Sequence, residues 1–157
     1  MKFEQNCVIP ASRPKLWDFL TDIPKVAKCL PGVEEVHSEE EGKYSGILAL
    51  KVGVIKLKMS GKIIIEEMNA EQHTATMAVQ AADHRITGLV QGKMTMKLDE
   101  VSAEQTKLIV GTDISLFGKI GEFGQPIIRK KADKMMEEFA GNVAKSVAAP
   151  EASTATA

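Results

Sequence analysis

GKIGEFGQPIIRKKADKMMEEFAGNVAKSV, residues 118–147, carries apolar side chains at Ile120, Phe123, Ile127, Ile128, Ala132, Met135, Met136, Phe139, Val143 and Val147. Steps of three, four or seven put them on one stripe of a 3.6-residue helix. Arg129, Lys130, Asp133, Lys134, Glu137, Glu138 and Lys145 occupy the other faces. The spacing predicts one long amphipathic helix over Gly118–Val147, and such a helix needs an apolar partner. No other segment reads as a long helix, so the partner has to be a sheet.

Upstream, the apolar period changes to two. Lys2–Ile9 reads as a first strand with Phe3, Cys7 and Ile9 on one face, ended by Pro10. Ser12 before Arg13-Pro14 is a helix N-cap with proline in the first turn, leading into Leu16, Trp17, Phe19 and Leu20. Asp22-Ile23-Pro24 restarts a second short helix, and Pro31-Gly32 stops it. Val33–His37 is a second strand and Glu39–Gly42 a polar turn. Tyr44, Gly46, Leu48 and Leu50 alternate with Ser45, Ile47, Ala49 and Lys51. After a turn at Gly53, Ile55, Leu57, Met59, Gly61, Ile63 and Ile65 alternate with Lys56, Lys58, Ser60 and Lys62, the pattern of an antiparallel strand with one wet face. Three further strands present Ala75, Met77, Val79 and Ala81; then Val90, Met94, Met96 and Leu98; then Leu108, Val110, Thr112, Ile114 and Leu116. The expected architecture is α+β: a curved antiparallel sheet of about seven strands wrapped around the long C-terminal helix, with two short helices after the first strand. Residues 1–147 form one domain, and the small-residue run 148–157 reads as a disordered tail.

Composition narrows the function. Length (157 residues), 44% apolar and 26% charged content fit one soluble domain, and a net charge of −1 gives no general attraction to nucleic acid. A local basic patch survives that average: Lys119, Arg129, Lys130, Lys131 and Lys134 at the helix start, either a solvated face or a docking or anionic-lipid patch. No apolar run approaches the ~18 residues of a membrane span, and the N-terminus lacks the apolar core of a secretory signal, so the expected location is cytoplasmic. Cys7 and Cys29 have neither CxxC nor metal-ligand spacing and read as free thiols.

Catalytic signatures are absent: no GxGxxG after a strand, GxxxxGK[ST], HExxH or GxSxG occurs. His37, His73 and His84 sit in separate segments and read as surface or turn histidines, with no metal site among them. Asp83-His84-Arg85 is the densest polar cluster, at a hairpin, and Arg85 there is a candidate contact for an anionic group or a partner protein. Met59, Met77, Met94, Met96 and Met135 stand on inward positions. Methionine adapts to irregular contents, so this interior suits either a packed core or a pocket. Gly46, Gly61, Gly88 and Gly92 mark bulges or bends in the sheet, and Gly118, Gly121, Gly124 and Pro126 loosen the entry to the helix.

The layout as a whole resembles the START-like helix-grip superfamily. Within it, the chain resembles the CoxG family, which takes its name from carbon monoxide dehydrogenase. The residues that carry the likeness are Phe3 with Ala11–Leu20, then Cys29-Leu30-Pro31-Gly32-Val33, Tyr44-Ser45-Gly46, Lys51-Val52-Gly53, Gly61 and Phe117-Gly118-Lys119-Ile120-Gly121. The resemblance covers about residues 1–147. It implies a hydrophobic cavity between helix and sheet and association with a molybdenum-containing CO dehydrogenase or a related hydroxylase. It also implies a link from that enzyme to the membrane through a bound quinone, menaquinone or ubiquinone, with peripheral contact at the inner face of the cell membrane. Some relatives carry a longer, apolar C-terminal extension, whereas this chain ends in Ala, Ser and Thr.

These readings converge on a non-enzymatic binding protein for a long apolar molecule. An isoprenoid tail gains about 0.8 kcal/mol per buried CH₂, so its cavity needs no polar catalyst. The expected lining is Leu48, Leu50, Ile55, Leu57, Met59, Met77, Val79, Met94, Met96, Ile114, Leu116, Phe123, Ile127 and Met135, with Arg85, Arg129 and Lys130 toward a partner. Two other classes compete. A small cyclase or hydrolase needs inward polar groups, for which only Thr112, Tyr44 and Gln5 are on offer. A docking or assembly adaptor needs only the basic helix start and the Asp83-His84-Arg85 turn.

Overall fold

A computed structural model describes residues 1–83, 85 and 88–148. The order is β1 (Lys2–Ile9), α1 (Arg13–Leu20), α2 (Ile23–Ala27), β2 (Val33–Ser38), β3 (Lys43–Val52), β4 (Ile55–Asn69), β5 (Thr74–Asp83), β6 (Gly88–Ser102), β7 (Gln105–Gly118), a 3₁₀ turn (Lys119–Phe123) and α3 (Gln125–Ala148). The seven strands form one antiparallel sheet in the order β1-β7-β6-β5-β4-β3-β2. The α+β expectation, with seven strands, two early helices and one long late helix, holds.

Local chemistry explains the boundaries. Ser12 caps α1, its hydroxyl accepting from the Lys15 N–H at 3.4 Å, and Asp22 caps α2 in the same way through Lys25. The long helix starts later than its apolar stripe implies. Gly118 (φ 70°) and Gly124 (φ 81°) interrupt the backbone on either side of the 3₁₀ turn, so the regular helix begins only at Gln125. The strands run on beyond the alternation visible in sequence, β4 to Asn69 and β6 from Gly88 to Ser102. His84 and residues 149–157, including nearly all of the expected tail, lie outside the described residues.

The register puts the expected side chains on one concave face. Met77 pairs with Met94, Met94 with Thr112, and Thr112 with Phe3. Leu48 pairs with Met59, and Leu50 with Leu57. Gly92 stands in the middle of this face between Val79 and Ile114. A Cβ there would run into the Asp113 carbonyl oxygen and come within 2.7 Å of the Ile114 Cα, so only glycine lets β7 pass this close.

Two apolar clusters clamp α3 to the sheet. Towards the C-terminal half of α3, Leu16, Trp17 and Leu20 of α1 meet Ile9, Leu98, Leu108, Val143 and Val147, with Met96, Val110 and Phe139 packed against them. Towards its start, Val52, Leu57 and Met59 meet Ile120, joined by Leu48, Leu50, Leu116, Phe123 and Ile128. Each fully buried Leu or Val gains about 1.5–3 kcal/mol, so the helix is held firmly at both ends.

Candidate functional site

Between the two clusters lies a band that neither absorbs. Met77, Val79, Met94 and Ile114 on the concave face, with Ile63 and Ile65 beside them, are only half-buried. On α3, half-buried Met135 falls between Ile128 of one cluster and Phe139 of the other. Apolar side chains on the inner face of central strands normally lie in close-packed contact. Here a row of them, with two flexible methionines at its centre, is left partly open to solvent.

The fourteen residues expected to line a cavity therefore divide. Met77, Val79, Met94, Ile114 and Met135 form the open band. Leu48, Leu50, Leu57, Met59, Leu116 and Phe123 belong to the cluster at the start of α3, and Met96 packs against the other. Ile55, at the tip of the β3–β4 hairpin, is 38% exposed, and Ile127 is 47% exposed. These two are corrections. Adjacent helical residues point about 100° apart, and Ile128 takes the inward place that the stripe had shared between them. Ile55 is aligned with the inner face, but it begins the strand beyond the end of the cluster.

Among the described residues, polar groups on the concave side, apart from Asp83 at the end of β5, are few. Thr112 is buried. Gln5 donates through Nε2 to Asp133 Oδ1 at 2.7 Å, tying β1 to α3. Tyr44 is half-buried opposite Ile63. Among the described residues, no group of three or more His, Cys, Asp or Glu side chains is placed to hold a metal. Both cysteines are free, and partial burial raises the Cys7 thiol above its ordinary pKa by desolvation.

The residues proposed for partner contact are spread over two places. Arg129 and Lys130 line an open depression of about 500 Å³ with Gln125, Pro126 and Asp133, and the Arg129 guanidinium stacks over the Phe3 ring at 5.8 Å. Arg85 has an internal task. Its Nη2 lies 3.6 Å from Asp83 Oδ2 and donates to the Lys56 carbonyl at 3.2 Å. Asp83 is 1% exposed, and its carboxylate accepts from the Lys58 N–H at 2.7 Å and the Arg85 N–H at 2.8 Å. This staple extends the β4–β5 ladder past its last paired residues. The alternation Met77, Val79, Ala81, Asp83 already placed Asp83 on the inner face, and that was the signal available in sequence. Asp83→Ala is expected to destabilise the domain by about 2–3 kcal/mol in urea unfolding, because the part-buried N–H groups of Lys58 and Arg85 lose their acceptor, and Asp83→Asn to recover part of it.

His73 is the other residue whose role sequence alone understated. It sits in the β4–β5 turn at φ 56°, with its ring edge-on to Trp17 at 5.4 Å and 80°. It packs against the end of the core formed with α1, away from the open band.

The family model for CoxG, a carbon monoxide dehydrogenase subunit, matches residues 6–148. The chain belongs to the CoxG family. Solved structures share its fold across nearly its whole length. A conserved protein from Geobacillus kaustophilus superposes with a TM-score of 0.85 at 19% identity, over 94% of this chain and 95% of that one. The Zhui aromatase/cyclase from Streptomyces gives 0.65 at 16%, over 95% and 96%. A START superfamily protein from Mycobacterium smegmatis gives 0.68 at 12%, over 93% and 96%. A comparison with curated proteins returns no match. The helix-grip, START-like architecture is thus established, and the CoxG match spans β1 to the last turn of α3.

Proposed function

We propose that this CoxG-family chain is a non-enzymatic carrier for a long apolar molecule, a respiratory quinone or a lipid. In this reading it passes its cargo between the inner face of the cell membrane and a molybdenum CO dehydrogenase or related hydroxylase. The observation that carries the reading is the half-buried band Met77, Val79, Met94, Ile114 and Met135 between two sealed clusters. A five-carbon isoprene unit buried there gains ~4 kcal/mol at about 0.8 kcal/mol per CH₂. Methionines accommodate a tail of irregular contour better than branched side chains do. A menaquinone or ubiquinone would lay its tail along the band, with the Thr112 hydroxyl beside Met94 available to a ring carbonyl. The family name supports CO dehydrogenase as the partner, and the depression containing Arg129 and Lys130 offers it a basic contact. The scarcity of inward polar groups favours a carrier over an enzyme.

Native mass spectrometry of protein from a respiring host, followed by organic extraction, tests this. A bound menaquinone or ubiquinone supports the carrier. A phospholipid or fatty acid keeps the binding site and removes the redox link. An empty spectrum that persists after quinone is added overturns the carrier and leaves a docking adaptor.

A further inference from the structure

The β3–β4 hairpin ends in a two-residue turn, Gly53-Val54, joining Val52 to Ile55. Val52 is 3% exposed and anchored in the cluster at the start of α3, so the hairpin base is rigid. Its tip does the opposite of what a soluble turn does. Val54 is 85% exposed, Ile55 is 38% exposed, and Ile127 on the neighbouring first turn of α3 is 47% exposed. Tight turns favour polar residues and glycine, and a β-branched apolar residue at the extreme tip gains nothing in water.

The charges around this tip are mostly positive. Lys51 and Lys56 are direct cross-strand partners on the outer face, a like-charge arrangement that weakens a hairpin. Neither is in an ion pair among the described residues. Lys119 is exposed on the 3₁₀ turn, whose Ile120 packs in the same cluster as Val52, and Glu122 is the single acidic residue of that turn.

We infer that this end of the molecule docks on an anionic lipid surface, with Val54 and Ile55 entering the interface and Lys51, Lys56 and Lys119 meeting lipid phosphates. Phosphate between Lys51 and Lys56 relieves the repulsion that water leaves in place. A single hairpin tip is too small for a stable protein interface, whereas a few apolar atoms ringed by cations suffice for reversible attachment to a bilayer. The inference rests on the carrier reading, because a bilayer-dissolved cargo has to be collected at its surface.

Co-sedimentation with vesicles of 30% phosphatidylglycerol in phosphatidylcholine, and with pure phosphatidylcholine, tests it. The wild-type chain is expected to bind the anionic vesicles and to be released by salt. Lys51→Glu/Lys56→Glu should weaken binding by at least ~25-fold, at roughly fivefold per cation. Val54→Asp should weaken it several-fold with an unchanged melting temperature, while Lys62→Glu, on the same outer face but six residues further from the tip than Lys56, leaves it intact. Unchanged binding by Val54→Asp, equal binding to neutral vesicles, or no wild-type binding to either overturns the inference. Binding of a water-soluble short-chain ubiquinone separates the two readings. Val54→Asp that takes it up normally but leaves the vesicles confirms the docking site, whereas wild-type protein that binds vesicles but no quinone refutes only the carrier.

Discussion

Met94→Glu is expected to lower affinity for a long-tailed quinone by at least ~100-fold while leaving the unfolding midpoint nearly unchanged. Met94 stands at the centre of the concave face, opposite Met77 on one side and Thr112 on the other. Because the side chain is half-buried, a glutamate there keeps its carboxylate hydrated in the empty protein and costs the fold little. A tail entering the band strips that water, and an unpaired carboxylate in an apolar site costs several kcal/mol, with each 1.4 kcal/mol a factor of about ten. Met77→Glu should act alike. Met96→Glu should not, because Met96 packs against the cluster that holds Leu98 and Leu108, so its charge should unfold the protein rather than empty it. Quinone titration beside thermal melting distinguishes the two: full affinity in folded Met94→Glu removes the band from the binding site.

Side-chain facing was the most legible property of this chain. The alternation from Ile55 to Ile65 and the matching rows in β5, β6 and β7 predicted the inner face that the strand register confirms. Period two is a local property, set within a few residues by the pleat. What is not local was harder to read. Ile127 and Ile128 look equivalent in sequence, and only the docking angle of α3 decides which is buried. The helix start was misplaced because Ile120 and Phe123 fit its apolar spacing although the backbone at Gly118 and Gly124 leaves the helical region. Arg85 looked free because its partner Asp83 acts through space, across a ladder end that reaches back to Lys58. Whether the methionines fill the interior or line a gap depends on the helix–sheet distance, which no single segment encodes. The two clusters and the half-buried band between them arise only when α3 and the strands are brought together.

Gly32→Ala is expected to destabilise the domain by more than ~3 kcal/mol and to lower its melting temperature by roughly 10 °C. Gly32 closes the turn from α2 into β2 at φ 91°, where a residue with a Cβ incurs about 1–2 kcal/mol of strain. Space adds a larger penalty. The new Cβ would run into the carbonyl oxygen of Ala49, whose N–H donates to the Gly32 carbonyl at 2.8 Å. Neither backbone can retreat, because the same turn is tied on its other side to α3. The Asn142 side chain donates to the Cys29 carbonyl at 2.9 Å, and buried Cys29 lies 3.6 Å from the Ser146 hydroxyl through its sulfur. Cys29-Leu30-Pro31-Gly32 is therefore a junction joining the last turns of the long helix to the edge of the sheet, which gives a physical reason for the motif among those that carry the family likeness. Gly53→Ala makes the contrasting case: its φ is also positive, but nothing lies within 4 Å of the added Cβ, so only the backbone strain remains. Melting temperatures of the two variants measured side by side should differ by several degrees, and equal values would show that contact with Ala49 plays no part.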